Sequence, residues 1–325
     1  MTQRFSRLFP TLVAPMENNC GSSPECKCCA AIRRARETAL FDPLPEYCSP
    51  LTPDMQLVNI SHDEDGHGLR VELGDDWRRM FHGLSLAGSG LVVTRNMAAI
   101  LGRHMLYPLL GVTSDGNKGV CDESGLRLDF RQLGAARAIH ARRETGHLFG
   151  VEFADHQGQV VHRFMLTPKS DLDEYFAWVR LHQACNADRS VMRIKEEREV
   201  LPTPFPKLLR HCGGDAFVSV LAECLDRAIS LRVTVHSAVA AQRAEFTPRS
   251  LQPGDKWGFV SDDSTGLHFQ PELFEQVRIE QPLRADGGIS MVLRATVEGG
   301  ATALVLEAGN HAARNVWHAV LDAMA

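Results

Sequence analysis

The feature that most constrains the fold of this chain is a pattern of about a hundred residues that occurs twice. Each copy begins with a helix that leads into a short strand. Further strands follow, joined by turns rich in Gly and Asp, and the copy ends with a helix that contains Trp. The segment 266–269 (GLHF) matches 125–128 (GLRL), and Trp317 matches Trp178. Short strands joined by tight turns favour antiparallel sheets. We therefore predict an α+β fold: two tandem repeats of an antiparallel β-sheet unit with flanking helices, whose sheets stack pseudo-symmetrically.

Apolar periodicity and turn residues predict the individual elements. The first copy is expected to contain helices at 76–86 and 172–183 and strands at 69–73, 90–94, 125–130, 136–143, 146–155 and 160–166. The second is expected to contain helices at 216–228 and 310–324 and strands at 230–235, 274–280, 289–297 and 301–307. The predicted domains are an irregular Cys-containing N-terminal extension (1–60), a first repeat (61–190), a linker (191–211) and a second repeat (212–325).

Composition excludes several classes of function. The chain has 325 residues and a formal net charge of -5, which gives it no electrostatic reason to bind nucleic acid or an anionic membrane. It has no apolar run of the roughly 20 residues that span a bilayer, and its first residues make a poor signal peptide. No nucleophile elbow, P-loop or dinucleotide fingerprint is present. We expect a cytoplasmic protein that is neither a hydrolase nor a kinase.

Five of the nine cysteines lie near the start of the chain. Cys26 and Cys29 form a Cys-x-x-Cys, and Cys20 upstream and Cys48 downstream can complete four thiolates around zinc. The spacing is irregular for a zinc site, so a thiol-bearing tail without a metal stays open as the alternative.

An ordered set of motifs spans residues 75 to 325. It comprises Arg95-Asn96, the segment 153–162 (FADHQGQVVH), Phe246-Thr247, 256–259 (KWGF), 266–269 (GLHF) and 285–288 (ADGG). In order and spacing these motifs resemble the HemS/HmuS/ChuX family of hemin-utilisation proteins. The resemblance implies two stacked β-sheets that hold one heme, either for transfer inside the cell or for oxidative opening of the ring. It also implies a reductase or a heme donor or acceptor protein as a partner.

The resemblance assigns two heme contacts by position, Arg127 to the family's distal Arg and Phe246 to its heme-contacting Phe. His268 occupies the place of Arg127 in the second repeat. The family's axial His falls opposite Pro202, so His211, which we expect at a helix end, is the nearest replacement.

Where the family has a basic residue before its Asp-Gly turn, this chain has Gln281 or Pro282, and Arg284 is close enough to substitute. The leading prediction is a heme-binding protein that carries or degrades heme. The alternative is a protein of the same fold that has lost heme and acts as a binding or regulatory module, with the N-terminal cysteines as its metal site.

Overall fold

The computed structural model describes residues 42–43, 69–143, 146–183, 207–212, 214–252, 254, 256–282 and 290–323. The strands before the linker are β1 (Asp42–Pro43), β2 (Leu69–Glu72), β3 (Gly88–Arg95), β4 (Ala99–Leu106), β5 (Gly111–Val112), β6 (Lys118–Cys121), β7 (Leu126–Asp129), β8 (Leu133–Arg143), β9 (Gly146–Asp155) and β10 (Val160–Ser170). Those after it are β11 (Lys207–Cys212), β12 (Leu231–His236), β13 (Ala240–Phe246), β14 (Ser250–Gln252), β15 (Gly258–Ser261), β16 (Thr265–Phe269), β17 (Gln276–Gln281), β18 (Val292–Thr296) and β19 (Thr302–Ala308). The helices are α1 (Trp77–Leu84), α2 (Leu172–His182), α3 (Gly214–Asp226) and α4 (Arg314–Ala323).

The described strands form two antiparallel sheets. The first sheet has the order β1-β2-β8-β9-β10-β3-β4-β16-β15-β14, and the second has the order β11-β17-β18-β19-β12-β13-β7-β6-β5. When the two-residue β1 is left out, each sheet has nine described strands, and β2, the first of one order, corresponds to β11, the first of the other, and so on to β14 and β5. The predicted fold class is therefore confirmed, and the correspondence supports the duplication inferred from the sequence.

The two halves of the chain exchange strands. β7 pairs with β13, with Arg127 opposite Ala241, and β16 pairs with β4, with His268 opposite Ile100. As a result β5 to β7 complete the second sheet and β14 to β16 complete the first. Neither sheet is built from one predicted repeat alone, and the predicted domain boundaries stay a prediction.

Each sheet has an inner face that packs against helices and against the other sheet. The first inner core contains the buried residues of α1 and α2 together with side chains of β3, β8, β9 and β10. The second inner core contains the buried residues of α3 and α4 with β12, β17, β18 and β19, and it extends onto β4, β15 and β16. Apolar side chains of both sheets meet in these cores.

Polar side chains join the sheets where they cross. The Asn96 amide nitrogen donates to the carbonyl oxygens of His236 (2.7 Å) and Ala303 (2.9 Å), and the Gln242 amide donates to the Val92 carbonyl (3.3 Å). A buried amide that finds its partners in the opposite sheet fixes the position of one sheet on the other.

Several predicted elements agree closely with the structure because their end signals are strong. Asp171 caps α2 by accepting from the backbone N–H of Glu174 at 3.0 Å, and Gly158 adopts a φ of 81° in the β9–β10 turn. The predicted helix end at His211 is wrong, since His211 lies in β11, where it pairs with Arg278. The predicted N-terminal extension and most of the linker lie outside the described residues. No described helix is long and apolar enough to cross a membrane.

Candidate functional site

Each sheet also has an outer face, opposite its inner core, and the two outer faces differ. Antiparallel partners project to the same face, and side chains alternate along each strand. In β12 the inner residues Leu231, Val233 and Val235 are buried, while Arg232, Thr234 and His236 project outward and are half-buried. We call the outer face of the second sheet the open face. The outer face of the first sheet, which is buried, we call the closed face.

The closed face is apolar with enclosed polar groups. Its apolar cluster comprises Leu91, Val93, Ile100, Ile139, Met165, Trp257 and Phe259. Arg163 and Glu152 form an ion pair of 2.6 Å there, and each side chain is only 4% exposed. The His268 imidazole stacks on Phe259 with ring centroids 4.4 Å apart, and burial lowers its pKa to about 3. These residues form packed interior in the structure.

The open face carries three rows of side chains that run across the strands. In the first, β12 places His236 opposite Ala241, which lies opposite Arg127. The second row comprises Arg243, Thr234, Val305, Arg294, Arg278 and His211. The third comprises Glu245, Arg232, Glu307, Val292, Glu280 and Leu208. The centre of the face therefore consists of the small uncharged side chains Ala241, Thr234 and Val305, with arginines on either side.

Most arginines of the open face already have carboxylate partners. Arg294 donates to Glu280 at 2.7 Å and to Thr302 at 3.1 Å, and Glu280 is 5% exposed. Arg232 lies 3.5 Å from Glu245 and 3.9 Å from Glu307. These pairs leave less positive charge available to an anionic ligand.

Arg127 is the most accessible of these cations. Its side chain is 64% exposed, and its ion-pair partner among the described residues is the still more exposed Asp122, at 3.0 Å. Neighbouring Arg243 donates to the Asp122 carbonyl at 2.9 Å. An exposed ion pair contributes little free energy, so an incoming anion can displace Asp122 at small cost.

His236 is the imidazole nearest to Arg127 on this face. Two strand intervals separate them, about 10 Å, and only the methyl group of Ala241 lies between. Burial, and to a lesser extent the charge of Arg294, lowers the pKa of His236 to about 4. The ring is therefore neutral at neutral pH and can act as a ligand.

The structure places the predicted site residues on different surfaces. Arg127 and His211 share the open face, but five strands lie between β7 and β11, about 29 Å along the sheet. Phe246 is buried in the second inner core, opposite Leu231, and so faces away from Arg127. His268 belongs to the closed face. Their roles in ligand binding stay predictions, as does that of Arg284, which lies outside the described residues.

The predicted zinc ligands Cys20, Cys26, Cys29 and Cys48 also lie outside the described residues. Within the part of the chain that the structure describes, no group of three or more His, Cys, Asp or Glu side chains could hold a metal ion. The zinc prediction therefore has no support from the described residues.

Another histidine, His162, is buried in the first inner face and is fully engaged. Thr94 Oγ1 lies 2.9 Å from its Nδ1, and the Tyr107 hydroxyl lies 3.0 Å from its Nε2. Burial lowers the pKa of His162 to about 3. With both ring nitrogens bonded inside the core, His162 is a structural group.

Sequence reasoning missed His236 and Arg243. They lie in the segments 231–236 and 240–246, in which buried residues alternate with more exposed ones. Both occupy the more exposed positions, and this alternation was the signal for a half-exposed face. The missing information was the pairing of β13 with β7, which brings these residues to Arg127 across 116 positions of sequence, from Leu126 to Gln242.

Comparison with solved structures finds the same architecture in two heme-related proteins. PhuS, a heme-binding protein from Pseudomonas aeruginosa, matches with a TM-score of 0.66 and 19% identity over 77% of this chain and 85% of that chain. ChuS, described as an E. coli heme oxygenase, matches with a TM-score of 0.67 and 14% identity over 78% of this chain and 88% of that chain. No family model and no curated protein matches the sequence. The chain therefore has the two-sheet fold of PhuS and ChuS, as the resemblance in sequence predicted.

Proposed function

We propose that this chain binds heme on the open face of its second sheet. The observation that carries the proposal is the exposed guanidinium of Arg127 beside a floor of small uncharged side chains. The likeness to PhuS, a heme-binding protein, and to ChuS, a heme oxygenase, supports heme as the ligand.

The chemistry of the open face fits heme in two respects. Heme presents an apolar macrocycle, for which Ala241, Thr234 and Val305 provide a flat surface without charge. It also carries two anionic propionates, and the planar guanidiniums of Arg127 and Arg243 are suited to carboxylates. The floor and these cations lie on adjacent strands, so one ligand can contact both.

The ion pairs of this face decide which arginine binds. Glu280 is nearly fully buried and Arg294 is paired with it, so recruiting Arg294 would leave an uncompensated buried carboxylate. Arg127 gives up only an exposed contact with Asp122. We therefore assign a propionate contact to Arg127.

Titration of the protein with hemin tests the proposal. We expect a Soret shift that saturates at one equivalent. Arg127→Ala should weaken binding roughly tenfold, because a charge-assisted hydrogen bond is lost, and Arg127→Lys should retain part of the affinity.

The matched control is Arg227→Ala, which removes an exposed arginine paired with Glu223 on α3, away from the open face. It should leave hemin affinity unchanged. A wild-type protein without a saturable shift would contradict the proposal and favour the alternative of a binding or regulatory module that has lost heme. An equal loss in Arg227→Ala would show that Arg127 acts only through net charge.

The same titration repeated with an electron donor distinguishes the two forms of the proposal. A carrier keeps its Soret band under these conditions. An enzyme that opens the porphyrin ring loses the band with time.

A further inference from the structure

The resemblance leaves one element of a heme site unassigned. The family's axial His falls opposite Pro202, so in this chain an imidazole at another position would have to reach the iron above the floor. Such an imidazole must project from the open face, be neutral at neutral pH and have a free ring nitrogen.

Other histidines of the sheets fail one of these requirements. His162 uses both ring nitrogens within the first inner core. His268 projects from the closed face and stacks on Phe259. His211 projects from the open face but lies at its far edge, five strands from β7.

His236 meets all three requirements. It ends β12, projects from the same face as Arg127 and lies beside the floor formed by Ala241, Thr234 and Val305. Among the described residues no side chain forms a hydrogen bond with its imidazole. The ring is half-buried, and burial together with Arg294 holds its pKa near 4, so it carries no proton to be removed before coordination.

The backbone of His236 is held in place by the junction between the sheets. Its carbonyl oxygen accepts from the Asn96 amide at 2.7 Å, and the Asn96 side-chain oxygen in turn accepts from the backbone N–H groups of Ala98 and Ala99. A coordinating side chain whose backbone is fixed in this way needs little reorganisation when the metal binds.

We propose that His236 coordinates the iron of heme bound on the open face, in place of the axial His that the family carries in its linker. This inference rests on the proposed function. The neutral imidazole donates a nitrogen lone pair to ferric iron and displaces the water or halide that free hemin holds, with no electron transferred. Arg127, about 10 Å away across Ala241, then lies near the porphyrin edge, where a propionate needs it.

The test is the absorption and electron paramagnetic resonance spectrum of the ferric hemin complex in the full-length protein. Wild type should show the signature of nitrogen ligation. His236→Ala and His236→Gln should lose that signature and bind hemin roughly tenfold or more weakly, and added free imidazole should restore the spectrum of His236→Ala.

His311→Ala, which changes an exposed histidine between β19 and α4, serves as the control and should give the wild-type spectrum. Circular dichroism and the melting temperature of each variant establish that it is folded. A wild-type spectrum in both His236 variants would overturn the assignment of His236 while leaving heme binding intact. Absence of saturable hemin binding by the wild-type protein would overturn the proposed function and this inference together.

Discussion

The two sheets of this molecule have the same strand order but bury their side chains differently. All described residues of β15 and β16 in the first sheet are buried, whereas β12 in the second alternates between buried and half-buried residues. Two outward side chains at matching places in the strands, Arg95 and His236, illustrate the difference in burial. Each is the last residue of its strand. In the turns that follow, the backbone N–H of Asn96 donates to the Ala99 carbonyl, and that of Ser237 donates to the Ala240 carbonyl. Arg95 is nevertheless buried, whereas His236 is half-buried. One topology therefore supports both a buried outer face and a half-buried one.

The buried ion pair of the closed face should give the largest effect. Glu152→Gln removes the carboxylate charge that lies 2.6 Å from the buried Arg163 guanidinium, and we expect the free energy of unfolding to fall by about 3–5 kcal/mol. Urea unfolding followed by circular dichroism measures the change.

The corresponding change on the open face is Glu280→Gln. Its partner Arg294 is 25% exposed, so water can solvate the released charge and the loss should be smaller than for Glu152→Gln. Equal losses in the two variants would remove the distinction between a closed and an open face.

Acidification should destabilise the protein through His162, which is buried in the first sheet. His162 has a folded-state pKa of about 3, below the value of about 6.5 in the unfolded chain. As the pH falls from about 6.5 towards 3, the unfolded state takes up a proton that the folded state does not. The free energy of unfolding should therefore decrease by up to about 1.4 kcal/mol per pH unit from this residue.

Urea titrations at about pH 7 and about pH 5 measure this slope, and His162→Leu should reduce it even though the variant loses the contacts with Thr94 and Tyr107. Exposed His311→Ala is the control and should keep the wild-type slope. An unchanged slope in His162→Leu would mean that His162 is not enclosed in the folded state.

The smallest effect on stability is expected at the exposed pair of the open face. Asp122→Asn should change the free energy of unfolding by less than about 1 kcal/mol, because both side chains are largely in water. The same change releases Arg127 and should tighten hemin binding by up to about fivefold. Weaker hemin binding in Asp122→Asn would show that Asp122 helps to position Arg127.

Local patterns in the sequence were sufficient for much of the fold. Helix α2 was predicted with nearly its observed bounds because Asp171 caps it and Tyr175, Trp178 and Val179 form one buried stripe. The hairpin at Gly158 was predicted for a similarly local reason, a turn that requires positive φ. One edge of strand β4 pairs with distant β16, and His211 pairs with Arg278 in distant β17, so local patterns carry little information about the strand state of either.

The site was less predictable than the fold for the same reason. Arg127 was identified by resemblance, and the structure places it on an accessible face. The matching assignment of Phe246 came from the same resemblance, but the alternation of β13 directs that ring into the second inner core. Which face a strand residue occupies depends on register, and a displacement of one residue reverses it.

The exchange of strands between the halves has a consequence for synthesis of the chain. A ribosome releases Leu126 more than a hundred residues before Gln242, its partner in β13, has been made. Until the second half of the chain emerges, β7 can pair with β6 alone, and the edge that later pairs with β13 has no partner strand. The surface on which Arg127 and His236 meet is consequently among the last parts of the molecule to form, and a truncated product cannot display it.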